Sequence, residues 1–202
     1  MKVIKVVRLE MIKVLKFKRR RKGLTNYYKR KIFIISGKTR LVVRKSNRYI
    51  NVQFITHNVK GDVCLAAVNS IILKKFGWPY SCKNISACYL TGYIAGRIAI
   101  QKKINNVALD IGLHSATKAS RIFAVVKGIL DAGLNVPVDM EMLPPEDRIK
   151  GMHIVNYANL LKESNEENYK KRFSYYLSQN ILPEKIEEIF NKTFSLIKER
   201  FG

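Results

Sequence analysis

The chain has 202 residues, 47% of them hydrophobic, which is enough to bury a core and excludes wholesale disorder. Its 38 Lys and Arg against 15 Asp and Glu give a formal net charge of +23. Such a charge indicates a polyanionic partner, either nucleic acid or an anionic membrane, rather than a freely diffusing metabolic enzyme. The sequence has no uncharged apolar run of about 18 residues, which excludes a helix that spans a membrane.

The positive charge is concentrated in the first third of the chain. Residues 1–61 hold 19 basic residues and one acidic residue, Glu10, a net charge of +18. Residues 62–202 hold the other 19 basic residues and 14 acidic ones, a net charge of +5. We therefore expect an N-terminal segment that meets the polyanion, followed by an ordinary globular part.

The three cysteines, Cys64, Cys82 and Cys88, lie in mostly apolar stretches. Because an odd number of cysteines cannot all pair within one chain, a disulfide framework is not indicated. We expect buried free thiols in a reducing cytosol.

The first predicted elements are a basic arm, residues 1–31, and three strands. The arm has weak periodicity and is expected to be extended or partly helical. Leu41-Val42-Val43 predicts a short strand, and the alternation from Tyr49 to Thr56 predicts a half-buried one. Ser46-Asn47 favours a hairpin turn between them, and a third strand, Val63 to Val68, follows a Gly61-Asp62 turn.

The pattern then becomes helical. Asn84 is a candidate cap for a helix from Ile85 to about Lys103, whose small residues recur every fourth position and permit close packing. We predict a buried strand from Val107 to Ile111, a loop from Gly112 to Ala116 and a helix from Ala119 to Asp131. Further helices are predicted to open at Pro144-Pro145 and Pro183-Glu184. This order of elements indicates an α/β sandwich with a mixed sheet.

The arm is the first candidate binding site. Its basic side chains would neutralise phosphates, and two adjacent tyrosines offer flat faces to unstacked bases. A solvated charge run or a nuclear import signal is the alternative. The candidate contacts are Lys18, Arg19, Arg20, Arg21, Lys22, Thr25, Asn26, Tyr27, Tyr28, Arg30 and Lys31.

The hairpin tip is the second candidate site. A turn flanked by cations projects charge and hydrogen-bonding side chains from a rigid edge, although charged residues also protect strand edges from aggregation. The candidate contacts there are Arg44, Lys45, Ser46, Asn47 and Arg48, with Arg40 on the preceding strand.

The third candidate is the junction between the fourth strand and the next helix. Lys118 and Arg121 would oppose the helix dipole in a first turn unless an anion lies there. Thr117 would add a hydroxyl contact, or it is simply the helix cap. The junction lacks the Gly-Lys-Ser/Thr ending of a phosphate-binding loop, so nucleotide hydrolysis does not follow.

Residues suited to catalysis are sparse. The three histidines are far apart, and no cysteine pair has the spacing of zinc ligands, so we expect neither a metal nor a cofactor. Asp62, Asp110 and Asp131 would be the carboxylates of a two-metal nuclease. Asp62 is interpreted as a turn residue and Asp131 as a helix-end residue, which leaves Asp110 without an ordinary explanation.

Several motifs, in one order from Arg19 to Leu161, resemble a known family. They are Arg19-Arg20-Arg21 with Thr25-Asn26-Tyr27-Tyr28, Leu41 to Asn47, Tyr89 to Gly92, Gly112-Leu113-His114, Thr117-Lys118, Arg121, Lys127-Gly128, Leu130 to Leu134, and Arg148 to Gly151 with His153-Ile154. The chain resembles archaeal-type members of the L-eighteen family, the 5S-rRNA-binding proteins of the large ribosomal subunit. Ala116 and Ala119 depart from the proline and glycine that are frequent in the family.

The resemblance implies a three-layer α/β/α sandwich, similar to the ribonuclease H arrangement without its catalytic carboxylates. It implies a structural, non-enzymatic protein of the cytoplasmic ribosome that binds 5S rRNA and helps to attach it to 23S rRNA in the central protuberance. Neighbouring ribosomal proteins are expected partners, and a membrane or small-molecule substrate is not expected. The division would be an arm (1–31), an rRNA-binding α/β domain (32–140) and a helical extension (141–202). The enzymatic alternative is a structure-directed RNA nuclease of ribonuclease H-like fold.

Overall fold

The computed structural model describes residues 15–202, so the first 14 residues of the predicted arm lie outside the described residues. The strands are β1 (Thr39–Lys45), β2 (Ile50–Asn58), β3 (Gly61–Asn69) and β4 (Val107–Asp110). The helices are α1 (Lys18–Arg21), α2 (Tyr27–Ile35), α3 (Ile85–Gln101), α4 (Arg121–Asp131), α5 (Glu146–Lys150), α6 (Met152–Ser164), α7 (Glu166–Arg172), α8 (Ser174–Leu177) and α9 (Ile186–Phe201). Short 3₁₀ turns cover Ser70–Phe76, Met140–Met142 and Pro183–Lys185.

The four strands form one mixed sheet in the order β3-β2-β1-β4. The pairs β1–β2 and β2–β3 are antiparallel, and β4 runs parallel to β1 at the far edge. A parallel neighbour needs a long crossover, and α3 supplies it. The α/β class and the mixed sheet predicted from the sequence are confirmed.

The two faces of the sheet have different chemistry because successive side chains of a strand point to opposite sides. On the inner face, Leu41, Val43 and Val52 are fully buried beneath α3 and α4. On the outer face, β1 presents Arg40 and Arg44, and Asp110 of β4 stands opposite Val42 in the register. The inner face is therefore the hydrophobic core, and the outer face carries charges.

Helices α3 and α4 pack closely because small residues remove the side chains between them. A Cβ at Gly92 would lie 2.1 Å from the carbonyl oxygen of Val125, and one at Gly128 would lie 2.2 Å from that of Tyr89. The side chain of Asn84 accepts a hydrogen bond from the Ala87 amide at the start of α3, so the predicted cap is confirmed. This packing fixes where β4 and the start of α4 lie.

The C-terminal helices share the main core. Ile149 of α5 and Ile186 and Ile197 of α9 are buried in the same hydrophobic cluster as the sheet. The ring of Tyr93 on α3 meets that of Phe194 on α9 edge to face, with 5.0 Å between centroids. Helix α5 packs against α3 and α9.

Several local predictions were wrong. Asp62 lies inside β3, paired with His57, and not in a turn, because the turn falls earlier, at Val59-Lys60. The strand β4 is half-buried beyond Val107, since it is an edge strand with one charged face. Cys64 is exposed on β3, whereas Cys82 and Cys88 are buried and free as expected.

The junction before α4 also differs from the prediction. The helix begins at Arg121, and Ser120 instead of Thr117 occupies the N-cap position. Ala119 adopts a left-handed conformation with φ of 54°, a conformation that glycine adopts without strain. Lys118 therefore precedes the helix, and its position does not oppose the dipole in a first turn. Among residues 15–202, none of the helices combines the length and the apolar character needed to cross a membrane.

Candidate nucleic-acid interface

The described part of the arm, from residue 15, forms α1 and the beginning of α2, and its own polar side chains organise it. Asn26 caps α2, its side chain accepting hydrogen bonds from the amides of Tyr28 and Lys29 at 3.0 and 3.2 Å. Arg19 donates to the hydroxyl of Thr25 at 2.9 Å. The side-chain oxygens of Thr25 and Asn26 thus accept hydrogen bonds within the arm, which shapes the loop between α1 and α2.

Helix α2 turns one side toward the outer face of the sheet. Tyr27, Arg30 and Phe33, three residues apart, are half-buried. On the other side Tyr28 is 75% exposed, and Lys29 and Lys31 are exposed as well. The two tyrosines therefore differ: Tyr27 packs against the ring of Phe17 at 5.2 Å, and Tyr28 faces solvent.

A chain of alternating charges crosses the outer face beneath α2. Arg30 pairs with Asp62 through both guanidinium nitrogens at 2.9 Å. Arg40, only 7% exposed, donates to the same carboxylate at 2.6 Å and reaches Asp110 at 3.7 Å. Arg44 then donates to the carbonyl oxygen and the carboxylate of Asp110 at 2.7 and 3.0 Å. We call these five charged residues, Arg30, Arg40, Arg44, Asp62 and Asp110, the outer-face network.

The outer-face network lowers the pKa of the Asp62 carboxyl group. Burial acts to raise the pKa of Asp62, but hydrogen bonds from Arg30, His57 and Arg40 outweigh it and lower the pKa to about 2. Asp62 is therefore ionised at neutral pH and compensates the buried Arg40. Because its guanidinium is buried in these ion pairs, Arg40 does not present the surface cation expected from the sequence.

A groove of about 640 Å³ lies between the arm and the outer face. Arg19, Tyr27 and Lys29 of the arm and α2, Arg40 and Arg44 of β1, and residues 112–114 of the loop after β4 line it. A second hollow on the far side of the arm shares Thr25, Tyr27 and Leu113 with it and adds Arg20 and Lys31. A long basic surface with one exposed aromatic ring is suited to a nucleic-acid strand.

The hairpin tip is a four-residue turn, longer than the two-residue turn predicted. The Ser46 hydroxyl both accepts from the Tyr49 amide and donates to the Tyr49 carbonyl oxygen, each at 2.9 Å. Ser46 thus holds the turn closed, whereas Lys45, Asn47 and Arg48 are exposed at its end. The structure therefore places three of the predicted contacts together on a rigid projection.

The residues of the third candidate site separate. Lys118 pairs with Glu141 at 2.8 Å, and both side chains are exposed. Thr117 and Arg121 instead line a different depression together with Lys45 and Arg148. Arg148 was not among the candidate binding residues predicted from the sequence.

Sequence reasoning missed the two acids of the outer-face network. Asp62 and Asp110 were weighed as metal ligands and not as partners of arginines. Apart from Glu10, Asp62 is the first acidic residue of the chain, and that isolation among many cations is the signal that could have identified it. In residues 15–202 no three His, Cys, Asp or Glu side chains converge in the manner of a metal site.

Comparison with known proteins gives a consistent result. The family described as "Ribosomal large subunit proteins 60S L5, and 50S L18" matches residues 13–107 and 98–139. The chain is 50% identical over 182 residues to "Large ribosomal subunit protein uL18" of Thermofilum pendens, covering 90% of this chain and 93% of the relative. It is similar to proteins of the same name from Caldivirga maquilingensis (50% over 188 residues, 93% and 91% covered) and Saccharolobus solfataricus (44% over 186 residues, 92% and 93% covered).

Proposed function

The chain belongs to the family of ribosomal large subunit proteins that includes uL18 of archaea, and on that premise we propose that it binds 5S rRNA and helps to attach it to 23S rRNA in the central protuberance. In this proposal residues 1–31 are the RNA-binding arm and residues 32–140 the rRNA-binding domain. Residues 141–202 are a helical extension, available to neighbouring ribosomal proteins.

The observation that carries the proposal is the basic groove between the arm and the outer face of the sheet. From Lys16 to Lys31 there are nine Lys and Arg and no Asp or Glu. Eight of these nine residues are exposed and are not ion-paired with any described carboxylate: Lys16, Lys18, Arg19, Arg20, Arg21, Lys22, Lys29 and Lys31. They are the arm cations free to displace counterions from a phosphate backbone.

The hairpin tip supports a second contact with the RNA. Lys45 and Arg48 provide charge, and Asn47 provides an amide that hydrogen bonds to phosphate, sugar or base. Tyr28 supplies an exposed ring on which an unstacked base or a sugar packs. Recognition by such groups depends mainly on RNA shape and backbone.

The outer-face network weighs against the nuclease alternative. A two-metal nuclease needs carboxylate oxygens that face cations supplied by solvent. In this chain the oxygens of Asp62 and Asp110 accept hydrogen bonds from Arg30, Arg40 and Arg44. These guanidinium groups repel a metal ion from the same position, so a structural role is favoured.

Binding of the purified protein to 5S rRNA and to an unrelated folded RNA, at low and moderate salt, tests the proposal. We expect a preference for 5S rRNA that persists at moderate salt. The variant R20Q/R21Q should bind more weakly, and the slope of log K against log salt should fall by about 0.7–0.9 for each phosphate that the variant no longer neutralises.

The charge-matched control is K171Q/R172Q on α7, where both side chains are exposed. It should retain the affinity and the salt slope of the wild type. Equal binding of the wild type to both RNAs, disappearing together as salt rises, would contradict the proposal and leave only a generic basic arm.

A further inference from the structure

A second basic cleft lies on the opposite side of the hairpin from the groove. It has a volume of about 250 Å³ and is formed by the end of β1, the loop before α4, the start of α4 and α5. Lys45, Arg121 and Arg148 provide its charged lining, and Ser115 and Thr117 provide hydroxyl groups. The residues that line the cleft are all different from those that line the groove under the arm.

The position of the cleft follows from the alternation of side chains along β1. Arg44 points to the outer face and contacts Asp110, and its neighbour Lys45 points to the other side and reaches the cleft. The base of the hairpin therefore presents one cation to each of two separate surfaces.

The three cations of the cleft come from positions far apart in the sequence. Lys45, Arg121 and Arg148 are all exposed, and among the residues described none of them has a carboxylate oxygen within 4.0 Å. In this they differ from Arg30, Arg40 and Arg44, which the outer-face network neutralises. The fold brings three uncompensated positive charges together, an arrangement that is unfavourable unless an anion joins them.

The start of α4 adds hydrogen-bond donors to the positive charges of the cleft. No side chain caps its first amides, and the Ser120 hydroxyl is buried without a hydrogen-bond partner among the described residues. Unsatisfied N–H groups at a helix start favour an anion. The loop that leads to them is held in place by the Ala119 amide, which donates to the carbonyl oxygen of Met142 at 3.0 Å.

We propose that this cleft binds a phosphodiester of the RNA backbone, so that the hairpin is held by RNA on both of its faces. Lys45 directly precedes the exposed turn that carries Asn47 and Arg48, so a strand held at the tip passes beside the cleft. Arg121 and Arg148 bind its phosphate, and Thr117 contacts it through its hydroxyl group. The inference rests on the proposed function for the identity of the RNA, but not for the chemistry of the site.

The test compares the full-length wild type with R121Q/R148Q, using K171Q/R172Q as the charge-matched control. Circular dichroism and thermal unfolding first establish that the variants fold. We expect R121Q/R148Q to bind 5S rRNA more weakly than the control, with a salt slope lower by about 0.7–0.9 for each phosphate left without its cation. A salt slope and an affinity equal to those of the control would overturn the inference.

Two further measurements distinguish free phosphate from RNA phosphate, and the inference about the cleft from the proposed function. Inorganic phosphate is titrated into the RNA-free wild type, followed by the amide resonances of residues 119–122. Saturable phosphate binding with an unchanged RNA slope in R121Q/R148Q would identify a free-anion site and overturn the backbone assignment. If the wild type shows no preference for 5S rRNA but R121Q/R148Q still lowers the slope with any RNA, the cleft stands and the proposed function fails.

Discussion

Arg30 of α2 and Asp62 of β3 form a two-point ion pair, with both nitrogen–oxygen distances at 2.9 Å, between residues 32 positions apart. The pair joins the basic arm to the outer face of the sheet. Because Asp62 also accepts from Arg40, it holds the arm with the same carboxylate that compensates a buried guanidinium. The arm is therefore oriented by an acid before it meets any RNA.

The substitution D62N should loosen the arm and destabilise the domain. It removes the charge that Arg30 and Arg40 share and leaves the buried Arg40 with only its longer contact to Asp110, a loss of about 1–3 kcal/mol. We expect a lower free energy of unfolding in urea and faster cleavage by trypsin between residues 16 and 31. The exposed control E163Q should match the wild type in both measurements, and a D62N variant that does so too would refute this role.

The Asp62 carboxylate should also make the stability of the fold sensitive to acid. Its pKa is lowered to about 2 in the folded protein, below its ordinary value of 3.8, by hydrogen bonds that outweigh burial. The stability that it provides is present in full above about pH 4 and is lost as the pH falls toward 2. Urea unfolding between pH 5 and pH 2 should show a shallower loss for D62N than for the wild type. Parallel curves for the two proteins would contradict the assignment.

Gly92 and Gly128 should be intolerant of alanine. A Cβ at either position would lie within 2.2 Å of a carbonyl oxygen on the facing helix, so α3 and α4 would have to separate. We expect each change to destabilise the protein by more than about 2 kcal/mol in urea unfolding, despite the higher helix propensity of alanine. Gly96→Ala serves as the graded comparison: its new Cβ meets the Ala132 methyl at 2.7 Å, and the destabilisation should be smaller. Wild-type stability in Gly92→Ala would show that the helices separate without cost.

The three thiols should react at different rates. Cys64 is exposed, whereas Cys82 and Cys88 are buried, and burial raises the pKa of both buried thiols. A disulfide reagent should therefore modify one thiol quickly in the native protein and the other two only on unfolding. C64S should lack the fast phase. A fast phase that persists in C64S would show that one of the buried cysteines is accessible.

Local sequence patterns predicted those elements whose structure depends on neighbouring residues in the chain. The alternation of Ile50, Val52 and Phe54 identified β2, and Asn84 identified the start of α3. The basic arm and the exposed hairpin tip were also recognised, since charge and turn chemistry lie in contiguous residues. By contrast, the cap of α4 was misplaced by three residues, because the left-handed Ala119 delays the helix to Arg121.

The sequence by itself determined which elements form, where the positive charge lies and to which family the chain belongs. Only the tertiary structure decided what each charge does. Arg44 and Asp110 are 66 residues apart and meet because β4 pairs in parallel with β1. Arg148 lines the same cleft as Lys45 because α5 packs against α3 and α9. Ion pairing depends on separation in space, which hydrophobic packing and sheet order set, so no periodicity in the sequence distinguishes a compensated arginine from one left free to bind phosphate.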